Sequence, residues 1–288
     1  MIEASIIVIS YNHGQWIKQC LSSILSQETN RKIEIVWYDD FSSDDTIENG
    51  EQVLKDCKHE IIRLHAMNNR MQRKIPFLLD IIERCRGEFI FMTEGDDYWI
   101  DNKKIEFQIE ALNQNPDINI CFTPALIVKD GEEKPSGLLA AHSNSQCIFS
   151  LEKTIEGDGG FMPSNSLCVR RTVYDSAPDW FYGFLPVGDY PTQVIAANPN
   201  GALYLPVITS VYRTNVKGSW TETTFNVKKK RIEFEIEFLE LLLKLNHHMI
   251  GKESSFRKIM DVHIASFFKL CMETNDYSKL FRLHKILN

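Results

Sequence analysis

The sequence predicts an α/β fold built on a mostly parallel sheet. Three observations carry this reading. The chain opens on the nearly unbroken β-branched run Ala4–Ser10 (ASIIVIS), the pattern of a strand buried on both faces. Strand-like and helix-like stretches then alternate over the first 125 residues. Three of the strand-like runs end in polar or acidic residues, where parallel sheets bind their ligands.

In chain order, Trp16, Cys20, Ile24 and Leu25 recur at helical spacing, and Ile33–Trp37 is a second strand. Ser42 or Ser43 is placed to cap the next helix, with Asp44 and Asp45 in its first turn. Ile61–Leu64 is a short third strand. Pro76–Cys85 is a helix closed by Gly87. Glu88–Met92 is a fourth strand and Lys103–Asn113 a further helix. Repeated βα units imply right-handed crossovers. Beyond Pro124 the pattern changes. Ala125–Lys129 reads as a strand ending in the turn Asp130-Gly131, and 131–160 as mobile polar loops. Ser166–Arg170 and Ile208–Tyr212 are further strands. From Lys228 the pattern is helical, with Ile232, Ile236, Leu239 and Leu243 on one stripe and Phe256, Ile259, Met260, Phe267 and Cys271 on another.

The 288 residues fit one large domain, or one with an appendage. With 43% hydrophobic and 25% charged residues the chain can build an ordinary core. No apolar run reaches the roughly 18–20 residues that a membrane-spanning helix needs. The start Met1-Ile2-Glu3-Ala4-Ser5 lacks a basic leader region, which predicts no signal peptide. Seven scattered cysteines with no C-x-x-C pair predict free thiols and a cytoplasmic chain. The net charge of −7 argues against nucleic-acid binding. That charge is uneven: residues 228–288 carry a net +4 and the remainder −11.

The first strand ends Ser10-Tyr11-Asn12, the second Tyr38-Asp39-Asp40-Phe41-Ser42, and the fourth Thr93-Glu94-Gly95-Asp96-Asp97-Tyr98-Trp99. An Asp-Asp pair at a strand end can simply make a turn or cap a helix. Two such pairs on one sheet edge point further. Adjacent carboxylates repel, and a divalent cation is the usual reason to gather them.

In these motifs (IIVISYN, YDDFSSDDT, TEGDDYW, and VGDYPTQ at 187–193) the chain resembles the inverting glycosyltransferases of family 2, over about residues 4–220. Each motif alone is weak; their order and spacing carry the resemblance. EGDDYW is similar to members that build bacterial surface polysaccharides.

The resemblance implies a GT-A-like α/β sandwich with a mixed, mostly parallel central sheet and a C-terminal helical appendage. It divides the chain into a transferase domain, 1–225, and the appendage, 226–288. Residues 1–124 would bind the nucleotide-sugar donor and 125–225 the acceptor. Ser10, Tyr11 and Asn12 would line the nucleotide pocket, with Asp40 accepting from the ring N–H of uracil and Asp39 supporting it. Asp97 would be the direct ligand of Mn²⁺ or Mg²⁺, the ions that oxygen-only ligands favour. Asp96 would contact ribose or the metal. Asp189 would be the general base, though many members carry Glu-Asp where this chain has Gly188-Asp189. Asp189 can also cap the helix Pro191–Ala197, and both roles are compatible.

Arg70 and Arg73 would reach the donor phosphates, or lie on a solvated loop. Arg213 and Trp220, in YRTNVKGSW, resemble a segment that closes over the donor; Trp220 can instead pack the core. His247-His248 reads as solvated. The tail that starts Lys228-Lys229-Lys230-Arg231 fits either peripheral docking at the inner face of an anionic membrane, where a glycan or lipid-linked glycan acceptor would sit, or a helical cap on the domain or on a second copy in a homodimer. The cap is the preferred reading.

A nicotinamide dehydrogenase makes a poor case, because the turn after the first strand lacks G-x-G-x-x-G. A nucleotidyltransferase is disfavoured by the missing Gly-rich phosphate loop. A non-catalytic module of the same fold, holding a nucleotide-sugar or glycan without turnover, is the remaining alternative.

Overall fold

The computed structural model describes residues 1–287. In chain order the elements are β1 (Ala4–Ser10), α1 (Ile17–Leu25), β2 (Ile33–Asp39), α2 (Thr46–Leu54), β3 (Glu60–His65), and the short turns α3 (Arg70–Arg73) and α4 (Leu78–Ile82). They continue with β4 (Phe89–Glu94), β5 (Tyr98–Trp99), α5 (Lys104–Gln114), β6 (Ile120–Phe122), β7 (Ala125–Lys129), β8 (Gly137–Leu139) and β9 (Cys147–Phe149). Then come α6 (Leu151–Glu156), β10 (Cys168–Arg170), α7 (Thr172–Asp175), α8 (Asp189–Ala197), β11 (Ala202–Tyr204) and β12 (Ser210–Thr214). Three helices close the described chain: α9 (Lys228–His248), α10 (Glu253–Thr274) and α11 (Leu280–Leu287).

Eight strands form the main sheet in the order β3-β2-β1-β4-β10-β6-β11-β9. The first four are mutually parallel. β10 runs antiparallel between β4 and β6, and β9 antiparallel at the far edge. A smaller sheet, β5-β12-β7-β8, lies beside it. This is a mixed, mostly parallel GT-A-like sandwich, as the motifs implied.

Alternation along the strands sorts side chains into two cores, one on each face. Ile6, Val8 and Trp37 face a layer with Ile17, Leu21 and Ile24 of α1 and Ile105 and Ile109 of α5. Ile7, Val36 and Ile90 face the opposite layer with Tyr190 and Val194 of α8. Into that second layer go Ile232, Ile236 and Leu239 of α9 and Phe256, Ile259, Phe267 and Cys271 of α10. The C-terminal stripes are therefore spent on the core. Gly50 is required because α2 crosses Trp37 so closely that a Cβ would lie 2.2 Å from the indole.

Three local expectations need correction. Residues 131–160 are not loop throughout: they hold β8, β9 and α6. Strands of three residues are too short to show a period of two. Ser42 and Ser43 do not cap α2. Ser42 Oγ donates to Asp39 and Ser43 N–H to Asn12 Oδ1, while Asp44 Oδ1 takes the Thr46 N–H at 3.0 Å. The serines thus tie the loops after β1 and β2 together. The third concerns α8, which begins at Asp189 and not at Pro191. Asp189 accepts the next N–H, from Tyr190, at 2.8 Å and so does not act as a side-chain cap.

All seven cysteines are free thiols. Among the described residues no helix is long and apolar enough to cross a membrane.

Candidate active site

Parallel register brings the strand ends level. Ser10 pairs with Asp39, Asp39 with His65, and Ile9 with Glu94, so the loops after β1, β2, β3 and β4 open on one edge. Ser10 Oγ donates to Asp39 Oδ2 at 2.7 Å and accepts from Trp37 Nε1 at 2.9 Å. Ser42 gives Asp39 two more hydrogen bonds, 2.8 Å from its N–H and 2.6 Å from its hydroxyl. Asp39 is wholly buried. It organises the two loops from beneath.

Asp40 is nearly as buried and gathers the segment after β3. Its Oδ1 accepts from Arg70 N–H at 2.8 Å and Tyr38 O–H at 3.0 Å, and its Oδ2 from Met71 N–H at 3.1 Å. A lone pair remains free on Oδ2. The Arg70 guanidinium turns to Asp80 and to the Pro76 carbonyl. Arg73 is exposed. Tyr11 and Asn12 stand at the rim, where Tyr11 Oη accepts a long 3.5 Å contact from Gln72.

The acidic turn after β4 is the centre of the site. Asp97 is 2% exposed, and both its oxygens are engaged: Oδ1 accepts the Arg213 N–H and Oδ2 the Asn165 Nδ2–H, each at 2.8 Å. Arg213 also donates from Nε to the Asp96 carbonyl at 2.8 Å and from its terminal nitrogen to Gln19 Oε1 at 2.7 Å. Arg213 thus locks the turn against β12 and α1. Asp96 differs. Its Oδ1 is buried without a hydrogen-bond partner, and its Oδ2 lies 3.8 Å from His13 Nε2. Gly95 leaves room for His13, since a Cβ there would sit 2.8 Å from its Nδ1.

Glu94 opens to solvent but is crowded by protein on its other sides. That crowding, with the negative charges of Asp96 and Asp189, pushes its pKa up to about 8. Burial, then Asp96 and Glu94, also hold Asp97 well above the usual carboxylate range. Asp189 is near enough to Glu94 for its charge to act there. Asp189 itself is half-buried, and burial raises its pKa. Trp220 packs on the tail, 5.2 Å from the Phe234 ring and 6.0 Å from Phe225.

Among the described residues, no three His, Cys, Asp or Glu side chains form a ready cage for a metal. A divalent ion shared with a diphosphate needs less: one or two carboxylates, with phosphate oxygens and water completing the shell. The orphaned Asp96 Oδ1 fits that requirement, because a buried unpaired carboxylate oxygen is costly until something positive meets it.

The glycosyl transferase family 2 pattern matches residues 5–176, more than half the chain, and takes in β1 through β10. The chain belongs to glycosyl transferase family 2. This family 2 chain is 28% identical over 224 residues to the uncharacterized protein Rv1520 of Mycobacterium tuberculosis, a match covering 75% of this chain and 60% of that protein. It thus spans about 60% of the length of the curated relatives it matches. Its fold is similar to S. aureus TarS 1-349 in complex with UDP-GlcNAc, with TM-score 0.62 and 16% identity over 97% of this chain and 74% of that one. It is also similar to the mannosyltransferase PcManGT from Pyrobaculum calidifontis in complex with GDP-Man and Mn²⁺, with TM-score 0.58 and 14% identity over 99% and 78%.

Several site residues of this family 2 chain gave no sign in the sequence. Glu94 stood unassigned inside TEGDDYW; its place two residues before Asp96 on the same strand end was the available signal. His13, Gln19 and Asn165 had none. Nor did the way the C-terminal helices α9 and α10 meet the loop before Asn165. There His263 of α10 is held by Glu235 of α9, Nδ1 to Oε2 at 2.6 Å, and its Nε2 lies 3.4 Å from Asp158 Oδ2. Asp158 sits at φ 58°, ψ −177°, a region that costs a non-glycine residue about 1–3 kcal/mol.

Burial alone would lower the His263 pKa, but Asp158 and Glu235 outweigh it and raise the pKa from 6.5 to about 9. The folded state therefore binds this proton more tightly. Its contribution, about 2–3 kcal/mol, is complete below pH 6.5 and is lost as pH rises through 9. Urea melts of His263→Gln should show that much less decline in stability than wild type between pH 6.5 and 9; parallel curves would refute the charged clamp.

Proposed function

We propose that the chain transfers a sugar from a uridine diphosphate sugar to an acceptor hydroxyl, with inversion and with help from Mn²⁺ or Mg²⁺. The observation that supports this most is the gathering of Glu94, Asp96 and Asp97 in one turn at the carboxyl edge of the sheet, with Asp189 near enough for its charge to act on Glu94. The neighbours with UDP-GlcNAc and with GDP-Man and Mn²⁺ add support.

In this reading Ser10, Tyr11, Asn12 and Asp40 frame the base, with Asp39 beneath them. Asp96 and Asp97 would hold a bound cation, Asp96 through its unpartnered oxygen, while Asp97 also fixes the turn. A bound cation would offset the charge that grows on the leaving diphosphate. Asp189 takes the proton of the acceptor hydroxyl as its oxygen attacks the anomeric carbon from the face opposite the nucleotide. The acidic cleft is ill-suited to a diphosphate without a cation, since like charges repel. Residues 1–124 serve the donor, 125–225 the acceptor, and the helices that begin at Lys228 roof the second core. A glycan or lipid-linked glycan of a bacterial surface polysaccharide is the acceptor class this reading favours, met at the cytoplasmic face of the membrane.

Calorimetry with UDP, GDP and dTDP, each with Mn²⁺ and with chelator, tests the donor. UDP should bind best, and only with the cation. Equal binding in chelator would remove the metal role, and preference for GDP the uracil assignment.

A further inference from the structure

Behind the acidic turn lies a buried cation that this chemistry leaves unused. Lys104, in the first turn of α5, is 0% exposed. Lysine is almost never buried to this depth unless a carboxylate pairs with it. Here the ammonium donates to three neutral acceptors: Gln108 Oε1 at 2.5 Å, the Ser166 carbonyl at 3.1 Å and Thr209 Oγ1 at 3.3 Å. It also lies 5.2 Å from the Trp99 ring and 5.8 Å from Phe91. Desolvation pulls its pKa down to about 7, a measure of how unfavourable the place is for a charge.

The acceptors have informative neighbours. Ser166 follows Asn165, whose Nδ2 donates to Asp97 Oδ2 at 2.8 Å and to the Val211 carbonyl at 2.9 Å. Thr209 precedes Ser210, whose hydroxyl donates to Asn165 Oδ1 at 2.9 Å. Lys104 therefore grips the residue next to Asn165, which holds Asp97, and the residue next to Ser210, which holds Asn165. Gln108 doubles the grip, with Nε2 donating to the Ser166 carbonyl at 2.7 Å. Thr209 is further fixed by the Thr123 hydroxyl at 2.8 Å.

We infer that Lys104 is a positioning residue for the donor and cation site: it fixes the segments at Ser166 and Thr209 so that Asn165 holds the Asp97 carboxylate, and with it the turn that presents Asp96. The inference rests on the proposed donor role of that turn. A residue kept only for packing would behave otherwise. Replacing a buried ion by an apolar side chain of similar volume is often neutral or stabilising, so a methionine at this position should be tolerated by the fold. What it cannot do is hold Ser166 and Thr209 in place.

Lys104→Met should keep the wild-type melting temperature or exceed it, while Mn²⁺-dependent UDP affinity by calorimetry falls about 10–100-fold, the usual loss when an outer partner of a metal-binding carboxylate is removed. Asn165→Ala should lose a similar factor. The double variant should lose little more than the worse single one, because both act through Asp97. Thr209→Val removes one acceptor at nearly constant volume; it should show a smaller loss of the same kind, and it carries the test if Lys104→Met does not fold. The Asn165 side-chain amide signals of the ¹⁵N-labelled, ligand-free protein give a readout that needs no donor, and they should move in Lys104→Met and in Thr209→Val. Unmoved amide signals, wild-type UDP affinity in a folded Lys104→Met protein, or fully additive losses would each overturn the inference. If wild type binds no nucleoside diphosphate while the amide signals do move, the donor reading fails and the positioning of Asn165 stands.

Discussion

Asp189→Asn is expected to lower transfer at least about a hundredfold while leaving folding and donor affinity nearly intact. The acceptor hydroxyl is a poor nucleophile until its proton begins to leave, and a placed base is worth about 10²–10⁴-fold in the transition state. A hundredfold loss is about 2.7 kcal/mol of barrier. Asparagine preserves what Asp189 does for the fold. Its carbonyl oxygen can accept the Tyr190 N–H as Asp189 Oδ1 does at 2.8 Å, and the bond from Thr192 Oγ1 to the Gly188 carbonyl is untouched. It removes only the basic oxygen, whose proton affinity burial has raised. A transfer assay beside a UDP titration separates the two effects. Transfer at the wild-type rate would leave Asp189 with no role beyond the first turn of α8.

The acidic turn should respond differently. Asp96→Asn is expected to weaken cation-dependent UDP binding more than about a hundredfold, since loss of an outer partner alone costs 10–100-fold. Its effect on stability should be small or favourable, because Asp96 Oδ1 has no partner to lose. Asp97→Asn should instead destabilise the fold by about 1–3 kcal/mol, since its new amide must oppose the N–H of either Arg213 or Asn165. Titrations with Mn²⁺ and UDP, together with thermal melts, distinguish them. Undiminished affinity in Asp96→Asn would move the cation contact elsewhere in the cleft.

The N-terminal part of the fold was legible because its signals are local. β1 and β2 are seven-residue strands buried along almost their whole length, and their acidic ends fall where a parallel sheet must place them. What escaped notice lies far apart in the chain. Asn165 reaches Asp97 across 68 residues, Lys104 reaches Ser166 across 62, and Glu235 reaches His263 across 28. Nothing near Asn165 in Met162-Pro163-Ser164-Asn165-Ser166 marks it as a partner for a carboxylate. β8 and β9 are too short for periodicity to show. The basic start of the tail left a membrane-facing surface as the alternative to a cap, yet Lys228 meets Glu273 and Arg231 meets Glu235. Such pairings depend on how α9 and α10 cross, which one-dimensional spacing does not encode.

The place of β10 in the sheet has a consequence for biosynthesis. β4 has β1 on one side and β10 on the other, and β6 reaches the sheet only through β10 and β11. A nascent chain that has completed β4 at Glu94 therefore carries an apolar strand with one open edge until Cys168 is made, 74 residues later. At about 5–20 residues per second, that interval is roughly 4–15 s. Throughout it the unpaired edge is a template for pairing with another chain. Residues 1–124 are thus not a unit that finishes folding as it leaves the ribosome; they wait, half-built and open to chaperones, for the three-residue strand Cys168–Arg170.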